Sequence, residues 1–121
     1  MKLITQHLTN RFDQIGNQSE IENPLIIAKF FNPGGAGTWY ATEYNPETKI
    51  CYGYVTGLAY DEWGTFSIDE LETVQLPFGL SIERDIHFDE IHFKELMQKK
   101  RLNELPKKDL QQDKNQGLER S

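Results

Sequence analysis

Glu83-Arg84-Asp85 is an unbroken run of charged residues, and its two carboxylates, separated by one residue, could do chemistry. On an extended strand they point the same way, about 7 Å apart, with Arg84 on the opposite face. That spacing suits a divalent cation, or a division of acid and base roles between two carboxylates. It is also the ordinary pattern of a solvated strand face, with Arg84 bridging to an acid on a neighbouring strand. A third carboxylate, Glu43, lies in the strand-like stretch 38–44. Strict alternation there puts Trp39, Ala41 and Glu43 on one face and Tyr40, Thr42 and Tyr44 on the other. If the first face is buried, Glu43 must be paired or protonated. If it is exposed, Trp39 is an indole available as a binding anchor. The binding candidates are therefore Trp39, Tyr40, Glu43, Glu83, Arg84 and Asp85. A metal-assisted hydrolase or nuclease would draw on Glu43, Glu83 and Asp85.

Other reactive types offer less. His87 and His92 are five apart with Asp89 and Glu90 between them, which matches no standard ligand spacing, so no metal is assigned. Cys51 is the single cysteine and sits in an apolar strand-like run, which reads as a buried, inert thiol. The glycine-rich loop 32–37 lacks the Gly-Lys-Ser/Thr ending of a phosphate cradle and leads into a strand, so it reads as a hairpin loop. Asp69 and Glu70 fall in the first turn of a short helix, where the helix dipole favours acids. No Gly-x-Ser-x-Gly, HExxH or paired cysteines occur. No catalytic residue and no cofactor is assigned, and the balance leans away from an enzyme.

These residues must be positioned by a sheet. Eight aromatics fall between Trp39 and Phe66, interleaved with Gly37, Gly53, Gly57 and Gly64, the pattern of a twisted antiparallel sheet with aromatic cross-strand pairs. Leu8, Phe12 and Ile15 make one stripe of a first helix over 5–15, with Thr5 to cap it and Gly16 to end it. Residues 25–31 are apolar on both faces except Lys29, as in a strand covered on both sides. Strands follow at 38–44 and 49–56, joined by a turn with Asn45 at its first position and Pro46 at its second. Gly53 inside a strand marks a bulge or a large aromatic lying across it. A short strand over 63–66 runs into a helix over 68–74, capped by Ser67 with Glu70. A last extended segment over 81–88 precedes a terminal helix over 91–102. The expected architecture is α+β, with a curved antiparallel sheet of four or five strands flanked by N-terminal, middle and C-terminal helices. Residues 1–102 form one domain and 103–121 a polar, disordered tail.

The net charge is −6, unevenly spread. Residues 1–42 carry three acids and three bases, residues 43–95 twelve acids and three bases, and residues 96–121 four acids and seven bases. An acidic body disfavours a phosphate-binding surface and suits a basic partner. Single-strand stacking on the aromatics would need a basic groove, which these strands lack. The longest apolar run, 25–28, is far short of a membrane span, and no signal peptide is evident. With one cysteine, the reading is a cytoplasmic protein.

The order and spacing of several pieces carry a resemblance: Leu3-Ile4-Thr5, Ala28-Lys29-Phe30-Phe31, Thr38-Trp39-Tyr40-Ala41-Thr42-Glu43-Tyr44, Gly53-Tyr54-Val55-Thr56-Gly57, Gly64-Thr65-Phe66-Ser67-Ile68-Asp69-Glu70-Leu71 and Gly79-Leu80-Ser81-Ile82-Glu83-Arg84-Asp85-Ile86-His87-Phe88. Over roughly residues 1–96 the chain resembles a family of small bacterial proteins catalogued as a domain of unknown function. Members of that family are often encoded on plasmids and integrated mobile elements. The resemblance implies a bacterial cytoplasm and a mobile-element setting, and supplies no catalytic residues. The expected function is a non-enzymatic accessory or anti-defence factor that binds a protein partner. A metal-assisted hydrolase or nuclease and a single-stranded nucleic-acid binding module are the alternatives.

Overall fold

The computed structural model describes residues 1–104. Helix α1, Gln6–Ile15, starts where the Thr5 hydroxyl accepts from the Leu8 amide, and ends at Gly16, whose φ of 73° a side chain would resist. The strands follow as β1 (Leu25–Ile26), β2 (Ala28–Phe31), β3 (Thr38–Asn45), β4 (Ile50–Thr56) and β5 (Glu62–Ser67). Helix α2 (Ile68–Thr73) is capped by Ser67, whose hydroxyl accepts from the Glu70 amide, as the Ser-x-x-Glu spacing predicts. After a tight turn at Pro77–Gly79 come β6 (Glu83–Arg84), β7 (Ile91–His92) and α3 (Phe93–Glu104).

Five strands form an antiparallel sheet in the order β5-β4-β3-β2-β6, and β1 pairs with β7 in a separate two-stranded ribbon. The fold is thus α+β, with an open five-stranded sheet and three α-helices among the described residues. Each face of the sheet carries its own core. On one face, Phe30, Trp39, Ala41, Cys51 and Val55 pack against Phe12 of α1 and Ile68 and Leu71 of α2. On the other, Ile26, Tyr40, Tyr54 and Trp63 pack against Phe93, Leu96 and Met97 of α3. Trp63 and Phe93 meet with ring centroids 4.8 Å apart, and such aromatic pairs add about 1 kcal/mol beyond their buried area.

Three expectations change. Residues 25–31 are two strands, because the chain kinks at Ile27 and puts both Ile27 and Ala28 into the first core. The extended segment ends after Arg84: the Asp85 carboxylate accepts from the His87 amide and the Asp85 carbonyl from the Phe88 amide, which closes a turn. Residues 91 and 92 pair with β1, so the terminal helix starts at Phe93; it runs on through 103 and 104. The remainder of the expected tail lies outside the described residues.

Candidate functional site

The site is organised by a bulge in β3. Ala41 pairs with Gly53 and Glu43 with Tyr52, so Thr42 is an extra residue on that strand. One extra residue inverts the alternation beyond it. The expected sharing of one face by Trp39, Ala41 and Glu43 is therefore corrected: Trp39 and Ala41 stay in the first core, while Glu43 lies on the Tyr52 side. Tyr44 moves the other way, and its ring reaches Phe12 of α1 at 5.8 Å. Gly53 permits this. A Cβ there would lie 1.9 Å from the Tyr40 carbonyl oxygen, so only glycine admits the close approach of β3 beside its bulge.

The bulge is held from two directions. The Thr42 hydroxyl donates to the Tyr52 carbonyl at 3.1 Å. Gln18, only 7% exposed, donates through Nε2 to the carbonyls of Thr42 and Leu25, and its Oε1 accepts from the Leu25 amide. Every hydrogen-bonding group of the Gln18 amide is thereby used, and the loop 17–24 is fastened over the end of the sheet.

Between that loop and the sheet lies a cavity of about 220 Å³ lined by Ser19, Glu22, Glu43, Tyr52, Trp63 and Phe93, among others. Glu43 and Tyr52 also line a neighbouring cavity of about 470 Å³ that extends along α1 to Asp13 and Asn17. The two cavities together make a cleft with Glu43 and Tyr52 at its waist. The Ser19 hydroxyl donates to the Glu43 carboxylate at 3.3 Å, and Lys94 of α3 donates to Glu22 at the rim. The aromatic wall is continuous: Tyr52 and Trp63 centroids are 5.9 Å apart, and Tyr54 and Phe93 5.0 Å. Half-buried rings beside a carboxylate suit a cation, which gains from the ring faces and from the charge together. The volume is several times the ~30 Å³ share of one liquid water, so a side-chain head group fits.

The other sequence candidates lie elsewhere. Trp39 is 8% exposed inside the first core, so it is not an exposed indole. Tyr40 is 5% exposed in the second core, beneath Lys100 at 5.6 Å from its ring centroid. Burial first, and then the Asp85 charge, raise the Tyr40 phenol above its ordinary range. Glu83 and Arg84 pair with Phe31 and Phe30 at the sheet edge. The Arg84 guanidinium donates to the carbonyls of Lys2 and Leu3 rather than to an acid on a neighbouring strand. Asp85 faces Lys29 at 3.6 Å, so Tyr40, Lys29 and Asp85 are brought together. Glu43 is not: it lies on β3, past the end of its pairing with β2, while Glu83 lies beyond β2 on β6. Among the described residues, no three His, Cys, Asp or Glu side chains gather as a metal-holding group.

Sequence reasoning singled out Glu43 and missed Gln18, Tyr52, Trp63 and Phe93 as one site. The aromatic run held Tyr52 and Trp63 in view; nothing local marks Gln18, whose partners are set by the fold. A model of a family described as "Protein of unknown function (DUF2958)" matches residues 2–98. The chain belongs to that family. No curated protein and no solved structure matches it. The DUF2958 match spans the whole cleft, from Phe12 to Phe93, and all six sequence candidates. No helix among the described residues is long and apolar enough to cross a membrane.

Proposed function

We propose that this DUF2958 protein is a non-enzymatic binding module that takes a cationic side chain of a protein partner into the cleft between Glu43 and the Tyr52–Trp63–Phe93 wall. One observation carries the reading: the bulge at Thr42 turns a carboxylate onto a half-buried aromatic wall beside a cavity. Lys or Arg on the partner would gain from the ring faces and from Glu43 together. The acidic stretch 43–95 would steer such a partner toward the cleft. An accessory or anti-defence factor of a mobile element, the setting the family resemblance implies, would act through contacts of this kind.

The test uses N-acetyl-arginine amide and N-acetyl-lysine amide as probes, followed by NMR of the Trp63 indole and the Tyr52 ring. Millimolar probe should shift both rings, Glu43→Gln should weaken the response several-fold, and added salt should weaken it further. Rings that stay in place in the wild-type protein would refute the reading.

A further inference from the structure

Phe78 is 99% exposed, and its backbone stands at φ 62°, ψ 26°. Gly79 follows at φ 72°, and the Leu80 amide closes the turn onto the Pro77 carbonyl at 3.3 Å. Two central residues with positive φ are the signature of a type I′ turn, where Asn, Asp and Gly are at home and a bulky side chain is strained. Phe78 thus combines a strained backbone with a fully hydrated ring, and neither is compensated by a contact among the described residues. The turn is nonetheless well held. Pro77 fixes its own φ, and the Leu76 amide donates to the Leu80 carbonyl at 2.9 Å. The ring is presented by a closed loop, with Val74 and Leu80 as further exposed apolar neighbours in sequence.

The charge around the turn restricts what could cover it. Residues 69–84 hold four acids, Asp69, Glu70, Glu72 and Glu83, against Arg84, and Lys49 pairs with Asp69 at 3.6 Å, so four acids against two bases leave the flank negative. Such a flank repels an anionic lipid surface and a nucleic-acid backbone, and it complements basic residues. The tip is also distinct from the cleft. Leu80 lies beside Gly34 in the β2–β3 loop, at the start of β3, whereas the bulge lies toward the far end of that strand.

We propose that Phe78 is an anchor that inserts into an apolar pocket of a protein partner whose rim carries lysine or arginine. This is a second contact surface, independent of the cation reading of the cleft. Interface energy concentrates in such buried aromatic anchors, ringed by contacts that exclude water.

The experiment places a photoreactive benzophenone amino acid at position 78 of the full chain in host cells, with the same substitution at Tyr60, 76% exposed, as the control. The expected result is one protein adduct specific to position 78. Its cross-linked residue should lie in an apolar pocket edged by basic side chains. The purified partner should then bind the Phe78→Asn variant at least about tenfold more weakly. Phe78→Trp should retain binding, and Phe78→Asn should melt no lower than wild type, because Asn suits the turn. An adduct shared with position 60, no protein adduct at all, or unchanged binding by Phe78→Asn would overturn the proposal. So would Phe78-dependent sedimentation with phosphatidylcholine vesicles, which would assign the ring to a membrane. Glu43→Gln serves as the cross-check: binding lost there but kept by Phe78→Asn would likewise overturn this proposal and assign the partner to the cleft.

Discussion

Gln18 Nε2 donates to the Thr42 carbonyl at 3.0 Å, across 24 residues of chain and from a side chain that is almost wholly buried. That bond ties the loop over the cleft to the bulge that aims Glu43. The site is therefore assembled by one amide side chain that has no catalytic or binding chemistry of its own.

Gln18→Ala should leave the Leu25 amide and the Leu25 and Thr42 carbonyls unsatisfied, and cost about 3 kcal/mol in urea unfolding. Gln18→Glu adds a pH dependence. A carboxylate beside two carbonyl oxygens has its folded pKa raised above the ordinary value of about 4.3. The added penalty is absent below that value and grows as pH rises through the folded pKa. The variant should be closest to wild type near pH 4 and fall away toward pH 7.

Gly53 and Gly64 face each other across β4 and β5, yet they should respond oppositely to alanine. A Cβ on Gly53 meets the Tyr40 carbonyl oxygen, and nothing lies within 4 Å of a Cβ on Gly64. Gly53→Ala must push β3 off its bulge, with a loss above about 2 kcal/mol, in the range of overpacked cores. Gly64→Ala should gain up to about 1 kcal/mol, since it restricts only the unfolded chain. Thermal midpoints of the two variants measure the contrast.

The same contrast shows what a single sequence carries. Local signals were legible: Thr5 and Gly16 bound α1, and Ser67 with Glu70 starts α2, because caps are satisfied within a few residues. Gly53 did mark a bulge, but on the opposite strand, since the crowding atom belongs to Tyr40. The position of the extra residue was not legible, because Thr38-Trp39-Tyr40-Ala41-Thr42-Glu43-Tyr44 alternates equally well in either phase. The face of Glu43 was lost with it. Likewise Ile91 and His92 read as helix and form a strand, because their partner is β1, more than 60 residues earlier.

Arg84 tests whether the edge cluster is structural. Its guanidinium donates to Leu3 O at 2.9 Å and Lys2 O at 3.2 Å, while the Leu3 amide donates to Glu72 at 2.8 Å. The N-terminal segment is thus fastened at both its carbonyls and its amide, with the Leu3 side chain fully buried. Arg84→Met should lower stability by about 1–2 kcal/mol and speed hydrogen exchange at the Leu3 amide. It should leave the response of the Trp63 indole to N-acetyl-arginine amide unchanged. A lost response with intact exchange protection would instead assign Arg84 to binding.

Alkaline pH probes both cores at once. Burial pushes the Cys51 thiol well above its ordinary range, and burial is also the first cause of the raised phenols of Tyr40, Tyr44 and Tyr54. Each group is held neutral in the folded chain and ionises more readily when unfolded. Native stability should be undiminished below the unfolded thiol value of about 8.5, then fall as pH rises through it, by up to 1.36 kcal/mol per pH unit for each such group, an approximate limit. The phenols join near pH 10. Cys51→Ala removes the earliest component: it should start lower by about 1 kcal/mol for the small cavity, yet lose less stability than wild type between about pH 8.5 and 10. Parallel urea titrations of wild type and Cys51→Ala across that range decide the matter, and equal slopes would mean that the thiol does not titrate with unfolding.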